Sequence, residues 1–340
     1  MENRKPIFID LFSGAGGLLR GFSDAGFEPI KSFEFWNPAI ETHKLNYPHI
    51  PIDSRDVRNV SDEDLLEYKG KVDIIVGGPP CQGFSTIGKR LVKDPRNELV
   101  FEFIRFVERI RPKVFLMENV RGLLSVNSGS LREIISDEFR AIGYKNIHCK
   151  VLCAADYGVP QMRYRVFFIG TREDIDKDIN FPEPLIKEKK EYVTVGSAIG
   201  DLIDSYEKLP NHVPMKHNKI VIERMKYIKE GEGLPKSGVP DDVLFGSRSD
   251  FADRKVKNFS HVYKRLHRNK PATTMVPGHN AFPLHPVLNR SLTVREAARI
   301  QTFPDDVIFA GNRQEQCIQV GNAVPVKLAY ELAMHIKKNL

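Results

Sequence analysis

Cys81 stands at the tip of VDIIVGGPPCQGFS (Val72–Ser85), where an apolar run breaks into two glycines and two prolines. Gly77 and Gly78 permit backbone angles closed to other residues. Pro79 and Pro80 then fix φ and stiffen the turn. A rigid loop presenting a thiol suits a positioned nucleophile, although a cysteine taken alone is more often a small buried hydrophobe. Two carboxylates, Glu34 and Glu118, close apolar runs of their own. Such residues commonly cap helices or pair with cations, and Arg163 and Arg165 of QMRYR (Gln161–Arg165) read by themselves as strand-end surface arginines. The loop FSGAGG (Phe12–Gly17) allows close backbone approach to a ligand, and Glu34 follows Gly14 by 20 residues. An acid at that distance can accept from ribose hydroxyls. Leu19 fills the place of the third glycine in G-x-G-x-x-G, so a nucleoside without a pyrophosphate fits better than a dinucleotide.

Regular elements must carry these residues. PIFIDLF, PIKSFEF, KVDIIVGG, KVFLMEN and RVFFIG read as buried parallel strands. NELVFEFIRFVERI places Leu99, Phe103, Phe106 or Val107, and Ile110 on one helical stripe, which Arg111-Pro112 terminates. The alternation predicts a doubly wound α/β sheet over residues 1–175. Ligands of such sheets bind beyond the carboxyl ends of the strands, where FSGAGG, Glu34, the Pro-Pro-Cys loop and Glu118-Asn119 would share one edge. Prolines and glycines break the pattern over 176–288, which reads as a smaller, loop-rich module. Helical patterning resumes at SLTVREAARIQTF and PVKLAYELAMHIKK, so residues 289–340 are expected to pack back on the first domain.

The chain has 340 residues, 41% hydrophobic and 28% charged, and a net charge of +7. No apolar run approaches the roughly 20 residues that span a bilayer, and MENRKPIFIDLF does not read as a signal peptide. Cysteines at 81, 149, 153 and 317 form no disulfide framework, and a reducing cytoplasm is expected. Cys149-x3-Cys153 and the pairs His212/His217 and His279/His285 lack the spacing of a zinc site, so no metal is expected. Between Phe181 and Arg290 stand 19 Lys/Arg against 13 Asp/Glu. Within that stretch, Arg254–Lys270 has seven basic residues and no acidic one, interleaved with Phe259, His261, Tyr263 and His267. The mixture suits phosphate contacts and base stacking, and equally a solvated basic face.

DLFSGAGG, GGPPCQGFS, Glu118-Asn119-Val120, QMRYR, LTVREAARIQTFPD and QVGNAVP (Gln319–Pro325) occur in this order over almost the whole chain. Together they resemble the blocks of DNA (cytosine-5)-methyltransferases of the bacterial and archaeal restriction–modification type; the middle module is unmatched. The resemblance implies an S-adenosylmethionine-dependent methyltransferase sheet with a target-recognition domain at 176–288. It implies that the Cys81 thiolate adds to carbon 6 of cytosine and activates carbon 5 towards the methyl group of S-adenosylmethionine. Loss of the carbon-5 proton and expulsion of the cysteine then restore the ring. Glu118 would contact ring nitrogen 3 and the exocyclic amine, Arg165 would hold the carbonyl oxygen, and Arg163 would brace the site.

For the cofactor, the resemblance implies Phe12, Ser13, Gly14, Ala15 and Gly17 on the methionine side and Glu34 at the ribose. Phe35 (or Trp36 beside it) would meet the adenine face, Asp56 the adenine amine, and Pro80, Leu99, Asn322 and Ala323 would close the pocket. A stacked base is unreachable, so double-stranded DNA is the expected partner and base flipping the expected route. Gln82, Ser85, Arg254, Lys255, Lys257, Lys264, Arg265 and Arg268 are the expected DNA contacts, and Arg295 would link the middle module to the sheet. A monomer is expected, and the restriction–modification resemblance implies a cognate endonuclease of the same site. The rivals are a tRNA cytosine-5 methyltransferase and a catalytically silent nucleic-acid-binding protein, with a dehydrogenase disfavoured by the broken glycine pattern.

Overall fold

A computed structural model describes residues 4–80, 98–206, 208–235, 237–244, 263–276 and 282–340, less the side chains of 126–129. Short apolar runs form β1 (Ile7–Leu11), β2 (Glu28–Phe33), the two-residue β3 (Ile52–Asp53), β4 (Ile74–Gly77) and β5 (Val114–Val120). β6 (Tyr144–Cys153) and β8 (Tyr164–Arg172) complete a seven-stranded sheet of order β3-β2-β1-β4-β5-β8-β6. β7 (Gln161–Met162) pairs instead with β9 (Ala272–Thr273).

Strands β1 to β5 run parallel, but β8 is antiparallel to both β5 and β6. The run RVFFIG was expected to be parallel, and its apolar composition does not encode direction. The connection does. Only 154–163 separate β6 from β8, too short for the dozen or more residues that a parallel crossover needs. β6 itself escaped the hydrophobic pattern because YKNIHCKVLC is an edge strand, half-buried along most of its length.

The helices are α1 (Gly17–Asp24), α2 (Asn37–Asn46), α3 (Asp62–Leu66), α4 (Glu98–Ile110), α5 (Ser130–Ala141), α6 (Val195–Ile199) and α7 (Lys219–Lys226). The C-terminal ones are α8 (Val294–Ile300), α9 (Arg313–Asn322) and α10 (Val326–Asn339). Successive strand residues face opposite sides. Phe8, Ile74 and Leu116 join α1 and α10 in one core, while Ile9, Ile75 and Phe115 join α4 and α5 in the other. α1 and α10 approach so closely that a Cβ on Gly21 would stand 2.5 Å from that of Ala329. On α4, Val100, Phe103, Ile104, Phe106, Val107 and Ile110 are buried, and Leu99, partly buried, packs against the same core. The helix ends where expected, with Arg111 in the left-handed region at φ 58°.

A third core crosses the expected boundary between the middle and C-terminal segments. Val195, Ile199, Leu202, Leu266, Met275 and Phe282 pack with Leu292, Val294 and Val320, and with Ala15 from the first loop. Ile179 and Phe181 likewise belong to the sheet core, so packing does not break at residue 175. Arg295 is fully buried and donates to the carbonyls of Pro210, Pro304 and Val307.

Candidate active site

The carboxyl edge of the sheet gathers two groups of side chains. The first lies above β1 and β2. β1 ends at Leu11, and the chain then enters the left-handed region at Phe12, Gly14 and Gly16, with φ of 57°, 53° and 80°. A phenylalanine there is unusual, and such backbone persists where a ligand site is built. Phe12 and Phe33 line one cleft with Glu34, Phe35, Arg55, Asp56, Val57 and Leu99. Phe35 is 56% exposed, so an aromatic face is open to a planar ring. Trp36, the alternative stacking residue, does not line this cleft. Phe12, expected on the methionine side, stands instead with the residues expected around the nucleoside.

Glu34 accepts from three backbone amides: Gly14 on Oε2 at 2.8 Å, and Phe35 and Trp36 on Oε1, both at 2.9 Å. A carboxylate has about four acceptor sites, which leaves one on Oε2. Burial lifts its pKa above the usual carboxylate range, and the three amides pull the other way. Beneath the loop, Asp10 is fully buried, accepts from the Ser13 hydroxyl at 2.8 Å through Oδ2, and leaves Oδ1 with no partner. Burial pushes its pKa up to about 7. An open aromatic face at Phe35 and the free acceptor site on Glu34 fit a ligand with a planar ring and hydroxyl groups.

Ala15 and Gly17 face elsewhere. Ala15 is buried in the third core, and a Cβ on Gly17 would stand 2.1 Å from the carbonyl of Val324. Gly17 therefore serves the close approach of the C-terminal segment. Asn322 and Ala323 arrive on that segment but do not line the cleft.

The second group lies above β4 and β5. Glu118 is 8% exposed, and Arg165 on the adjacent β8 pairs with it at 2.9 Å, Nε to Oε1. Burial raises the Glu118 pKa, opposed by the charges of Arg165 and Arg163. Arg163 is fully buried and donates through Nη2 to the carbonyls of Gly321 and Asn322, at 2.8 and 3.2 Å. Its Nε and Nη1 have no partner. Close neighbours also explain the two glycines. A Cβ on Gly78 would stand 2.8 Å from Glu118 Oε2, and one on Gly77 would stand 2.5 Å from the carbonyl of Leu11. Neither glycine has positive φ. They are required by crowding, and not by the unusual backbone angles expected from the sequence. Asn119 Nδ2 donates to the carbonyl of Pro79 at 3.0 Å, tying the Pro-Pro turn to β5. Cys81, Gln82 and Ser85 lie outside the described residues; the chain is followed as far as Pro80, which is half-buried and not in the cleft lining.

A glutamate–arginine pair crowded against the last glycine before Pro-Pro-Cys thus shares the carboxyl edge of the sheet with the cleft lined by Glu34, Phe35 and Asp56. The family model for C-5 cytosine-specific DNA methylase matches residues 7–338. The chain belongs to this family. The methylase is 41% identical to the Type II methyltransferase M1.HphI of Haemophilus parahaemolyticus, over 97% of its own length and 86% of the relative's. It is 38% identical to the Type II methyltransferase M.DdeI of Desulfomicrobium norvegicum, over 96% and 88%. Its fold matches a crystal structure of an E. coli prophage protein described as a DNA modification methyltransferase, with a TM-score of 0.78, 28% identity and coverage of 98% and 99%. The methylase is accordingly a DNA cytosine-5 methyltransferase.

The expected DNA contacts divide. Arg254, Lys255 and Lys257 lie outside the described residues. Arg265 is a correction: it is 5% exposed, and its guanidinium donates to the carbonyls of Met225, Ile228, His285 and Leu288 and to Asn289 Oδ1. Five donors so engaged cannot meet a phosphate. Lys264 donates to the carbonyl of Gly231, and Arg268 pairs with Glu230 at 3.0 Å. Sequence reasoning missed Asp10, Phe33 and Val57, and gave Asn119 no role. An acid inside the apolar run IFIDLF was the available signal for Asp10. Among the described residues, no helix is long and apolar enough to cross a membrane.

Proposed function

We propose that this methylase places a methyl group on carbon 5 of a cytosine flipped out of a specific duplex DNA sequence, within a restriction–modification system. S-adenosylmethionine, when bound, supplies the methyl group. In this reading Phe35 stacks on its adenine, Asp56 accepts from the adenine amine, and Glu34 uses its remaining acceptor site for a ribose hydroxyl. The Cys81 thiolate adds to carbon 6 of the ring, and the displaced electron pair makes carbon 5 nucleophilic. Glu118, whose raised pKa favours the protonated acid, donates to ring nitrogen 3 as charge builds there. Arg165 holds the acid and meets the ring carbonyl. After methylation the carbon-5 proton leaves, the carbon 6–sulfur bond breaks and Cys81 departs as thiolate. The cations Arg163 and Arg165 favour that thiolate.

The observation that carries the reading is the Glu118–Arg165 pair, sealed against Gly78 on the strand that leads to Cys81. Bisulfite sequencing of DNA from a host expressing the chain tests it, since activity, base and recognition site are read together. Protected cytosines in one recurring sequence are expected. Unprotected DNA from a host containing the folded protein, with methylated tRNA instead, would overturn it.

A further inference from the structure

Asp56 does not face the cofactor cleft alone. Its Oδ1 accepts from the Arg58 backbone amide and from Arg58 Nε, both at 3.0 Å, and its Oδ2 accepts from Arg58 Nη2 at 2.6 Å. Three of about four acceptor sites are thus filled, and one remains on Oδ2. The same guanidinium reaches Glu98 Oε2 at 3.2 Å through Nη1. Glu98 opens α4 and immediately precedes Leu99, which lines the cleft opposite Asp56. A second arginine reinforces the arrangement. Arg105 on α4 donates to the carbonyls of Val57 and Val60 and to Asp62. The Asp56–Val60 segment is therefore bound to α4 at both ends.

We propose that Arg58 is a positioning residue that fixes the Asp56 carboxylate with a single acceptor site facing the cleft, making the site selective for a 6-amino purine over a 6-oxo purine. The inference rests on the assignment of Asp56 to the adenine amine. A carboxylate held by the planar fork of an arginine cannot rotate, and it remains charged. An exocyclic amine satisfies its last site, whereas a ring carbonyl at that position would oppose a fixed negative charge. The Arg58 backbone amide alone keeps the Val57–Asn59 turn capped, so removing the side chain leaves the local fold in place.

The test compares S-adenosylhomocysteine with S-inosylhomocysteine, each titrated into the full-length protein. Quenching of Trp36, the single tryptophan, reports binding, because its amide donates to Glu34 at the edge of the cleft. The ratio of the two dissociation constants is the readout. Asp56→Asn should lower the wild-type preference for the adenosyl ligand about tenfold, and Arg58→Met roughly threefold, less because its ion pairs are partly exposed. Loss of preference in both variants supports the proposal. An unchanged ratio in Arg58→Met, or equal weakening of both ligands, overturns it and leaves Asp56 assigned. An unchanged ratio in Asp56→Asn removes the assignment itself, and the proposal with it.

Discussion

Two buried arginines, one at the catalytic edge and one in the middle segment, solve the same problem differently. Arg265 engages all five guanidinium donors, four of its acceptors being backbone carbonyls. Arg163 is more deeply buried, yet engages only Nη2 and leaves Nε and Nη1 without partners. Burial, reinforced by the neighbouring Arg165 charge and opposed by Glu118, holds its pKa well below that of a free arginine. A complete donor shell marks a staple that holds loops together. An incomplete one, beside Glu118 and Arg165, marks a charge kept available for another occupant.

The sharpest contrast comes from substitutions. Cys81→Ser should reduce methylation by roughly 10⁴-fold or more while cofactor binding persists, as expected when a nucleophile is removed from a working unit. Loss of both would make Cys81 a fold residue. Arg163→Met should lower kcat by about 10²-fold with stability changed by about 1 kcal/mol or less, because an unpaired buried charge stabilises little. Arg265→Met should do the opposite. It strands five acceptors and should cost about 3 kcal/mol or more in denaturant unfolding, with kcat per folded molecule retained. Equal behaviour of the two variants would erase the distinction. Gly78→Ala should cost kcat about 10-fold with native circular dichroism, since the new methyl group pushes Glu118 off Arg165.

Asp10 supplies a pH test. Its folded pKa of about 7 lies above the ordinary 3.8, so the folded chain holds a proton there that the unfolded chain has released. Stability from this group is present below pH 3.8 and falls as pH rises towards 7. Compared with Asp10→Asn in urea unfolding, the wild type should lose up to about 4 kcal/mol across that window. Parallel stability curves for the two proteins would contradict this account. The smallest effect belongs to Arg268→Ala, whose solvent-exposed pair with Glu230 should leave the urea midpoint essentially unchanged.

What could be read from the sequence was chemistry attached to strand ends. Glu34 and Glu118 were legible because an apolar run followed by an acid says where the side chain emerges, and an α/β sheet puts all such ends on one edge. Phe35, Asp56 and Leu99 followed from block resemblance, and the structure brings them to one cleft. The direction of β8 was not legible, since pairing depends on the length of its connection. Nor was the burial of Arg265, because a run of basic residues has the same composition whether its guanidinium groups meet phosphates or carbonyls. The reasons for Gly77 and Gly78 also lay in three dimensions, in the Leu11 carbonyl on the neighbouring strand and the Glu118 side chain.

The most direct test mixes the protein, S-adenosylmethionine and duplex DNA carrying 5-fluorocytosine at the methylated site. Fluorine cannot leave as the proton does, so the account predicts a complex that survives denaturation, with DNA attached to the peptide containing Cys81, and none in Cys81→Ser. A stable adduct mapped to Cys149, Cys153 or Cys317, or methylation of ordinary DNA with no adduct on the fluorinated duplex, would contradict it.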